Sequence, residues 1–417
     1  MNYRSYPFAR QEALTDACVI ASYLIFLPND SGAFDKAGAF AVGQSIGTWL
    51  KVPGISDEMV ERYQGRVLSV QDVSPDLVQD KIYLIRIAFP MANFGGSLTM
   101  MMTALVGNDV STSLTAKLVN LEFINGAETG FAGPKQGMKE LRQLTGVYDR
   151  PLVLNMIKPC AGFTPKEGAE LFRQVALGGV DLVKDDELLG SPNYNSVEKR
   201  TELYLKIAEE VARDTGKHTI YLPNITGRPS QIRENMRRVI DMGAKACLFN
   251  FVFAGLDTLL ETCEEFGDQI FIMAHYAGVG VMNADRGGIS NAVMLGVMPR
   301  LAGAHAMMTM YPNRTQPAAV FDFIQTVQAQ SLPMGTLLPM VSTVGGGITP
   351  INQAFVQEQL GNDTIIGIGG AIQGHPMGAV QGARAAMAAV QATAVGIPLE
   401  EAAQNCESLE MAMKLWR

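Results

Sequence analysis

The stretch Gly179-Val180-Asp181-Leu182-Val183-Lys184-Asp185-Asp186-Glu187 carries the most information about fold and chemistry. A short apolar run after glycine is typical of a buried parallel strand, and this one leads directly into a lysine and three carboxylates. Carboxylate oxygens are ligands that Mg²⁺ prefers, and Mg²⁺ usually takes one or two of them from the protein. A lysine suits such a site only if its charge is removed, and carbamylation by CO₂ would turn it into an anionic oxygen ligand. The alternative for these four residues alone is a solvated charge run after a strand.

Around this stretch, short apolar runs alternate with amphipathic segments from about residue 150 onwards. Amphipathic segments at 166–176, 197–213 and 231–242 separate several of the runs. Eight such β-then-α units predict a (β/α)₈ TIM barrel, with a doubly wound sheet as the alternative. The predicted strands are 152–157, 180–183, 219–222, 246–249, 270–274, 306–310, 336–341 and 364–368.

The first part of the chain has a different pattern. Runs at 18–25 and 81–88 are rich in β-branched and aromatic residues and predict strands, whereas stretches near 34–50 and 97–106 predict helices. We therefore expect an N-terminal α+β domain of ferredoxin-like type over residues 1–143. The barrel domain, with a C-terminal helical extension, is expected over residues 144–417.

Composition narrows the classes of function. A net charge of −8 argues against a nucleic-acid partner, and no run of apolar residues is long enough to predict a membrane span. The five cysteines lack CxxC spacing, which favours a reduced, cytoplasmic compartment over a disulfide framework.

The loops after the strands of a barrel carry its chemistry, and several predicted strands here end in polar or glycine-rich features. Lys158 follows the first strand, and a buried amine there would act as acid or base; the alternative is a surface lysine. His275 follows the fifth strand and would hold a substrate hydroxyl or move a proton; the alternative is a core histidine. Glycines after the last two strands let backbone N–H groups approach a phosphate, with two tight turns as the alternative. These glycines are Gly346, Gly347, Gly369 and Gly370.

Taken in order, the motifs resemble the large subunit of RuBisCO, and more closely the RuBisCO-like proteins. The resemblance covers nearly the whole chain. It is carried by Gly47-Thr48-Trp49, Val106-Gly107-Asn108, Phe131-Ala132-Gly133-Pro134, Ile157-Lys158-Pro159, the Lys184–Glu187 cluster, Gly369-Gly370 and Gly374-His375-Pro376.

The resemblance implies a homodimer with its active site at the subunit interface, where Thr48, Trp49 and Asn108 complete the partner's site. It implies that Lys184 is carbamylated by CO₂ and that Lys184, Asp186 and Glu187 hold Mg²⁺. It also implies that Lys158 is the acid/base lysine. The four glycines would then cradle one phosphate.

Departures from the RuBisCO pattern are equally informative. Cys160, Gly43, Tyr276, Met308 and Gly345 stand where the family has a lysine, a glutamate, an arginine, a histidine and a serine, and no lysine occurs between Lys245 and Lys414. One phosphate cradle is kept while the cationic groups for a second are missing, so a bisphosphate would leave one dianion poorly paired. The sequence therefore argues against CO₂ fixation on ribulose bisphosphate.

What remains is suited to forming an enediolate from a singly phosphorylated keto-sugar or keto-acid, as an isomerase or a decarboxylase. A diketo phosphate enolase of methionine salvage is an alternative, but that enzyme has a lysine base at the position of Asn108. A non-catalytic regulatory or binding protein on the same scaffold is the alternative from another class. Retention of the buried charges argues against it, because unpaired they would destabilise the fold.

Overall fold

The structure is a computed structural model that describes residues 7–28, 32–47, 53–75, 80–112 and 115–416. Thr48 and Trp49, two of the predicted phosphate-binding residues, lie outside the described residues.

The N-terminal region forms an antiparallel sheet with helices, as the strand and helix patterns predict. The helix near 34–50 ends earlier than predicted, because residues 44–46 form a turn in which the Gly47 N–H donates to the Val42 carbonyl. The elements are β1 (Cys18–Pro28), α1 (Ala33–Gly43), α2 (Asp57–Tyr63), β2 (Arg66–Asp72), β3 (Asp80–Pro90), α3 (Leu98–Leu105), α4 (Asn108–Thr112) and β4 (Ala116–Ile124).

The second region alternates strands and helices as predicted. Its first half comprises α5 (Met138–Thr145), β5 (Leu152–Met156), α6 (Pro165–Gly178), β6 (Leu182–Lys184), α7 (Val197–Thr215), β7 (Ile220–Leu222), α8 (Pro229–Asp241), β8 (Ala246–Asn250), α9 (Phe251–Ala254), α10 (Leu256–Phe266) and β9 (Phe271–His275). Its second half comprises β10 (Gly288–Ile289), α11 (Met298–Leu301), β11 (Ala306–Met310), α12 (Pro317–Ser331), β12 (Val341–Gly345), α13 (Gln353–Leu360), β13 (Ile365–Gly367), α14 (Gly370–Gln373), α15 (Ala379–Ala394), α16 (Leu399–Gln404) and α17 (Glu407–Trp416).

Eight parallel strands close into a barrel, which confirms the predicted fold and excludes the doubly wound sheet. The hydrogen-bonded order is β7-β6-β5-β13-β12-β11-β9-β8. A parallel bridge between Asn224 and Leu248 joins the two ends, where the Leu248 N–H donates to Pro223 and the Ile225 N–H donates to Leu248. Closure brings the carboxyl ends of all eight strands to one rim.

One strand prediction is wrong. The seventh barrel strand is not 336–341 but β12, which begins at Val341. The buried guanidinium of Arg300 accounts for this, because it donates to the carbonyls of Leu337 and Leu338 at 2.9 Å each. Those carbonyls are thus engaged outside the sheet, and the strand starts only after them.

Two contacts fix the N-terminal sheet against the barrel. The loop after β9 contributes β10, which pairs in parallel with β4 and adds a fifth strand to the N-terminal sheet. The Asp257 carboxylate in α10 accepts from the Leu98 N–H at 2.8 Å and from the Ser97 hydroxyl at 2.5 Å, at the start of α3.

In the described part of the chain, no helix is both long and apolar enough to cross a lipid bilayer.

Candidate active site

A pair of lysines and a pair of carboxylates meet at the barrel rim. Lys158 follows β5, and its Nζ donates to the buried carboxylate of Asp186 at 2.5 Å and to the Cys160 Sγ at 3.1 Å. Burial lowers the pKa of Lys158, but the hydrogen bonds to Asp186 and Cys160 outweigh this effect and hold the pKa above its ordinary value. In this arrangement Lys158 is an ammonium that reaches the cleft with a proton to donate.

Lys184 is a fully buried charged group of the cluster. It is the last residue of β6, and its Nζ donates to the Asp185 carbonyl at 3.0 Å and to Glu187 Oε2 at 3.4 Å. Burial lowers the pKa of Lys184, although the negative charges of Glu187 and Asp186 act in the opposite direction. A lowered pKa raises the fraction of neutral amine, which is the form that reacts with CO₂.

Asp185, the first carboxylate after Lys184, belongs to a different network. It accepts from the Arg200 Nε at 2.7 Å, the Tyr221 hydroxyl at 2.6 Å and the Asn224 N–H at 2.8 Å. Asp185 and Arg200 are both fully buried. This carboxylate is therefore committed to holding α7 against the barrel, and only Asp186 and Glu187 remain for a metal.

Glu187 is held at the rim by its backbone and its side chain. Its carbonyl accepts from the side-chain amides of Asn250 at 2.9 Å and Asn224 at 3.3 Å, while its carboxylate lies 3.4 Å from His275 Nε2. Burial is the largest effect on the Glu187 pKa and raises it, but the charge of Lys184 and further hydrogen bonds outweigh burial and leave the pKa lowered. Glu187 is thus an anion that faces the cleft.

His275 is neutral, and a hydrogen bond to its ring fixes which nitrogen carries the proton. The Ala277 N–H donates to its Nδ1 at 3.1 Å, so the ring proton lies on Nε2, which faces Glu187. Burial and the neighbouring Lys184 charge hold the pKa of His275 well below its ordinary value. Such a histidine is suited to donating a hydrogen bond to a carboxylate or to a substrate oxygen.

The predicted glycines line the same cleft, which has a volume of about 380 Å³. Gly346 and Gly347 have φ values of 84° and 83°, a backbone conformation that side chains rarely adopt. Gly369 is close to Lys158, since a Cβ built on it would lie 3.5 Å from the lysine Cε. Gly370 follows as the first residue of α14. Gly369 and its neighbours therefore offer bare backbone close to Lys158.

The remaining wall of the cleft is apolar, and two departures from the RuBisCO pattern produce it together. A Cβ built on Gly345 would overlap the methyl group of Met308, and it would lie 3.5 Å from the methyl group of Met156. The Tyr276 ring stacks on His275 with centroids 4.5 Å apart. Among the described residues that line the cleft, the only cations are Lys158 and Lys184, and both contact carboxylates.

Asn108 is placed apart from these residues. It begins α4 in the N-terminal domain and does not line the cleft within the described part of its own chain. The neighbouring Asp109 carboxylate fills the space that a side chain at Gly43 would need, and burial raises the pKa of Asp109. The two positions are thus packed against each other.

Several residues of the site were not predicted from the sequence, among them Asn250, Thr349 and Trp416. Asn250, at the end of β8, supports Glu187, and its position after the fourth strand was an available signal. Thr349 and Trp416 line the cleft beside the glycines. Trp416 ends the last helix, and only the tertiary structure brings it to the rim.

The side chains of the cluster suit Mg²⁺ if Lys184 carries a carbamate. Within the described ranges, no three histidine, cysteine, aspartate or glutamate side chains are grouped to hold a metal ion. Asp186 and Glu187 supply two carboxylates, and a carbamate on Lys184 would supply the third anionic oxygen donor. The cluster as it stands balances two carboxylates with two lysines, so converting Lys184 to an anion leaves an excess of negative charge that a divalent cation would neutralise.

The fold and the site together define a class of protein. Its members have an N-terminal α+β domain followed by a closed (β/α)₈ barrel, with a lysine–carboxylate cluster and glycine-rich loops at the barrel rim. Residues 137–416 match the family described as ribulose bisphosphate carboxylase large chain, catalytic domain, and residues 12–125 match its N-terminal domain. The chain therefore belongs to the RuBisCO large-chain family, as the sequence motifs predict.

Three similar proteins place the chain within that family. A ribulose bisphosphate carboxylase-like protein of Archaeoglobus fulgidus is 34% identical over 94% of this chain and 92% of its own length. A 2,3-diketo-5-methylthiopentyl-1-phosphate enolase of Bacillus licheniformis is 31% identical over 95% of this chain and 98% of its own length. The dimeric archaeal Rubisco of Hyperthermus butylicus superposes with a TM-score of 0.88 at 26% identity, over 98% of each chain.

Proposed function

We propose that this protein is a Mg²⁺-dependent enzyme that forms an enediolate from a singly phosphorylated keto-sugar or keto-acid, as an isomerase or a decarboxylase. The observation that carries the proposal is the geometry around Lys158. Its ammonium lies 2.5 Å from Asp186, and its Cε approaches the position of a Cβ on Gly369 to 3.5 Å. The residue suited to proton transfer thus lies between the carboxylates and the glycine-rich loops.

In this proposal each side of the cleft has its own task. The backbone of Gly346, Gly347, Gly369 and Gly370 binds the phosphate and fixes the substrate's position. Lys158 first releases its ammonium proton; the free amine then takes the proton from the carbon next to the carbonyl and can return it to the enediolate. Neutral His275 donates a hydrogen bond from Nε2 to a substrate oxygen. Lys184 as a carbamate, Asp186 and Glu187 would hold Mg²⁺, which supplies Lewis-acid stabilisation of the negative charge that develops on oxygen.

The restriction to one phosphate follows from the charges that line the cleft. A second phosphate would need cations, yet Met156, Met308 and Tyr276 line the cleft, and among the described lining residues only Lys158 and Lys184 are cations. A dianion placed there would lose its hydration without gaining a partner. We therefore do not expect ribulose bisphosphate to be carboxylated.

The same proposal includes a homodimer. Phe253, in the short helix α9 after β8, and Val281, in the segment after β9, are 79% and 82% exposed. Apolar side chains exposed at this rim are typical of a surface that a partner covers. A second copy placed there would bring Asn108, together with Thr48 and Trp49, to this site, as the family resemblance implies.

A diketo phosphate enolase activity is the second candidate. The relative from Bacillus licheniformis bears that name, and the thioethers of Met156 and Met308 suit an apolar substrate tail. Asn108 argues against this activity, because the resemblance implies a lysine base at that position. A non-catalytic role is disfavoured by Lys184, whose complete burial without a function would cost stability.

Proton exchange tests the proposal. The protein is incubated with Mg²⁺ and bicarbonate in D₂O, with a panel of ketose and keto-acid monophosphates and a diketo alkyl phosphate, and deuterium incorporation and CO₂ release are followed by NMR. We expect exchange that is lost in Lys158→Met and Lys184→Ala. Lys166→Met serves as the matched control, since Lys166 is exposed at the start of α6.

The outcomes separate the candidates. CO₂ release identifies a decarboxylase, and exchange without it identifies an isomerase. Exchange confined to the diketo phosphate identifies the enolase. Absence of exchange with every compound, together with absence of Mg²⁺ binding by calorimetry, would favour the non-catalytic alternative.

A further inference from the structure

The last turn of the C-terminal helix has an unusual position. In α17, Leu409, Ala412 and Met413 are buried against α15 and form its inward-facing stripe. Trp416 lies three residues beyond Met413 and four beyond Ala412, so it continues the same helix face. It is nevertheless 38% exposed, because at this turn the stripe reaches the cleft instead of the core.

The helix is tied to the segment that follows the glycine-rich loops. The Met377 N–H donates to Nδ1 of buried His375 at 3.1 Å, which leaves the ring proton on Nε2 for the Ser408 carbonyl at 2.9 Å. The Ser408 hydroxyl also donates to the Gln381 side chain at 2.5 Å. His375 follows α14, the helix that Gly370 begins, so the start of α17 is held in register with the glycines.

Trp416 lines the cleft that also contains the four predicted phosphate-binding glycines, and Ile351, four residues after Gly347, packs against the cluster that contains the buried residues of α17. Ile348, Thr349, Gly370 and Ala371 line the cleft together with the indole. Of the chain's two tryptophans, this is the one within the described residues. A large aromatic ring at the edge of a concave site adds contact area and excludes water.

We infer that Trp416 is a ligand-contacting residue that forms the outer wall of the phosphate side of the cleft. The inference rests on the proposed function in one respect, namely that the glycines bind a phosphate. The indole covers the bound phosphate from the solvent side, which lowers the local dielectric and strengthens its attraction to the backbone N–H groups. It also limits the room beside the phosphate, so that a compact phosphomonoester is accepted and a bulky phosphodiester is not.

Binding of inorganic phosphate tests this without any turnover. The full chain with Mg²⁺ and bicarbonate is titrated with phosphate by calorimetry, as wild type, Trp416→Ala, Trp416→Phe and Leu415→Ala. We expect Trp416→Ala to bind phosphate about fivefold more weakly than wild type, a loss of affinity that corresponds to one aromatic contact. Trp416→Phe should recover part of this affinity. Leu415 is the matched control, since it lies on the same turn, is 46% exposed and does not line the cleft.

A spectroscopic measurement accompanies the titration. The protein is labelled with 5-fluorotryptophan, and the ¹⁹F resonance of residue 416 is assigned by its absence in Trp416→Phe. The inference predicts that phosphate shifts this resonance in wild type and in Leu415→Ala, while thermal unfolding shows that all variants are folded.

Equal phosphate affinity in wild type and Trp416→Ala, an unshifted resonance, or failure of wild type to bind phosphate would each overturn the inference. The proposed function is judged separately by proton exchange. A protein that binds phosphate through Trp416 but exchanges no substrate proton would refute the proposed function and leave this inference standing.

Discussion

The methyl group of Met308 occupies the space that a side chain at Gly345 would need. The two residues lie on the neighbouring strands β11 and β12, and each replaces a polar residue of the RuBisCO pattern. The replacements are therefore sterically coupled, because a Cβ at position 345 would force the methionine methyl group to move. Together they place an apolar methionine side chain in the lining of the cleft.

This coupling is measurable by a double-mutant cycle. We expect Gly345→Ala to lower the free energy of unfolding by about 1–2 kcal/mol, because the added methyl group displaces Met308 in a packed core. In a Met308→Ala background the same change should cost almost nothing, so the coupling energy is about 1 kcal/mol. Urea unfolding of the four proteins measures it, and additive effects would show that the two side chains are independent.

Substitutions of Asp185 and Asp186 should have different effects, the first on stability and the second on Mg²⁺ binding. Asp185→Asn breaks a fully buried pair with Arg200 and should cost about 3–5 kcal/mol of stability while leaving Mg²⁺ binding intact in the folded fraction. Asp186→Asn should keep the fold and lose Mg²⁺ binding. Urea unfolding and calorimetry at low temperature separate the two effects, and loss of Mg²⁺ binding in a stably folded Asp185→Asn would contradict this assignment.

Mg²⁺ should stabilise the protein only when CO₂ is present. Burial lowers the pKa of Lys184, so its neutral amine is available for carbamylation, which should become more complete as pH rises through the region where this amine deprotonates. At a Mg²⁺ concentration of about 100 times the Kd, the gain in stability is about 2.7 kcal/mol. Thermal unfolding with and without bicarbonate measures it. Lys184→Ala and a chelator should each abolish the gain, whereas equal stabilisation by Mg²⁺ in CO₂-free buffer would exclude a carbamate.

His305 should make the barrel sensitive to acid. It precedes β11, the Ile272 N–H donates to its Nδ1 at 2.9 Å, and burial lowers its pKa to about 4. An unfolded histidine titrates near 6.5, so the unfolded state binds more protons between these values and stability falls as pH falls from about 6.5 to about 4.

The loss from this group between pH 7.5 and pH 5 is about 2 kcal/mol, since each pKa unit is worth about 1.4 kcal/mol. Urea unfolding at both pH values, in wild type and in His305→Gln, isolates the contribution, because other titrating groups are common to both proteins. An identical pH dependence in the two proteins would show that His305 is protonated as easily in the folded state as in the unfolded state.

Local pattern was sufficient for most of the architecture. Hydrophobic periodicity located seven of the eight barrel strands, and Lys158 and His275, at or just beyond the ends of two of them, line the same cleft. The seventh barrel strand is the exception, because a contact distant in sequence determines where it begins. Apolar composition near residue 336 suggested a strand, but Arg300, distant in sequence, engages the carbonyls there.

The sequence by itself determined the order of strands and helices, the lysine–carboxylate cluster and the glycines, because backbone propensity and burial depend on neighbours within a few residues. Only the tertiary structure decided which carboxylate faces the cleft, that Met308 and Gly345 compensate each other, and that Trp416 reaches the cleft. Each of those outcomes depends on which distant groups close packing brings within a few ångströms, and a linear pattern does not encode that choice.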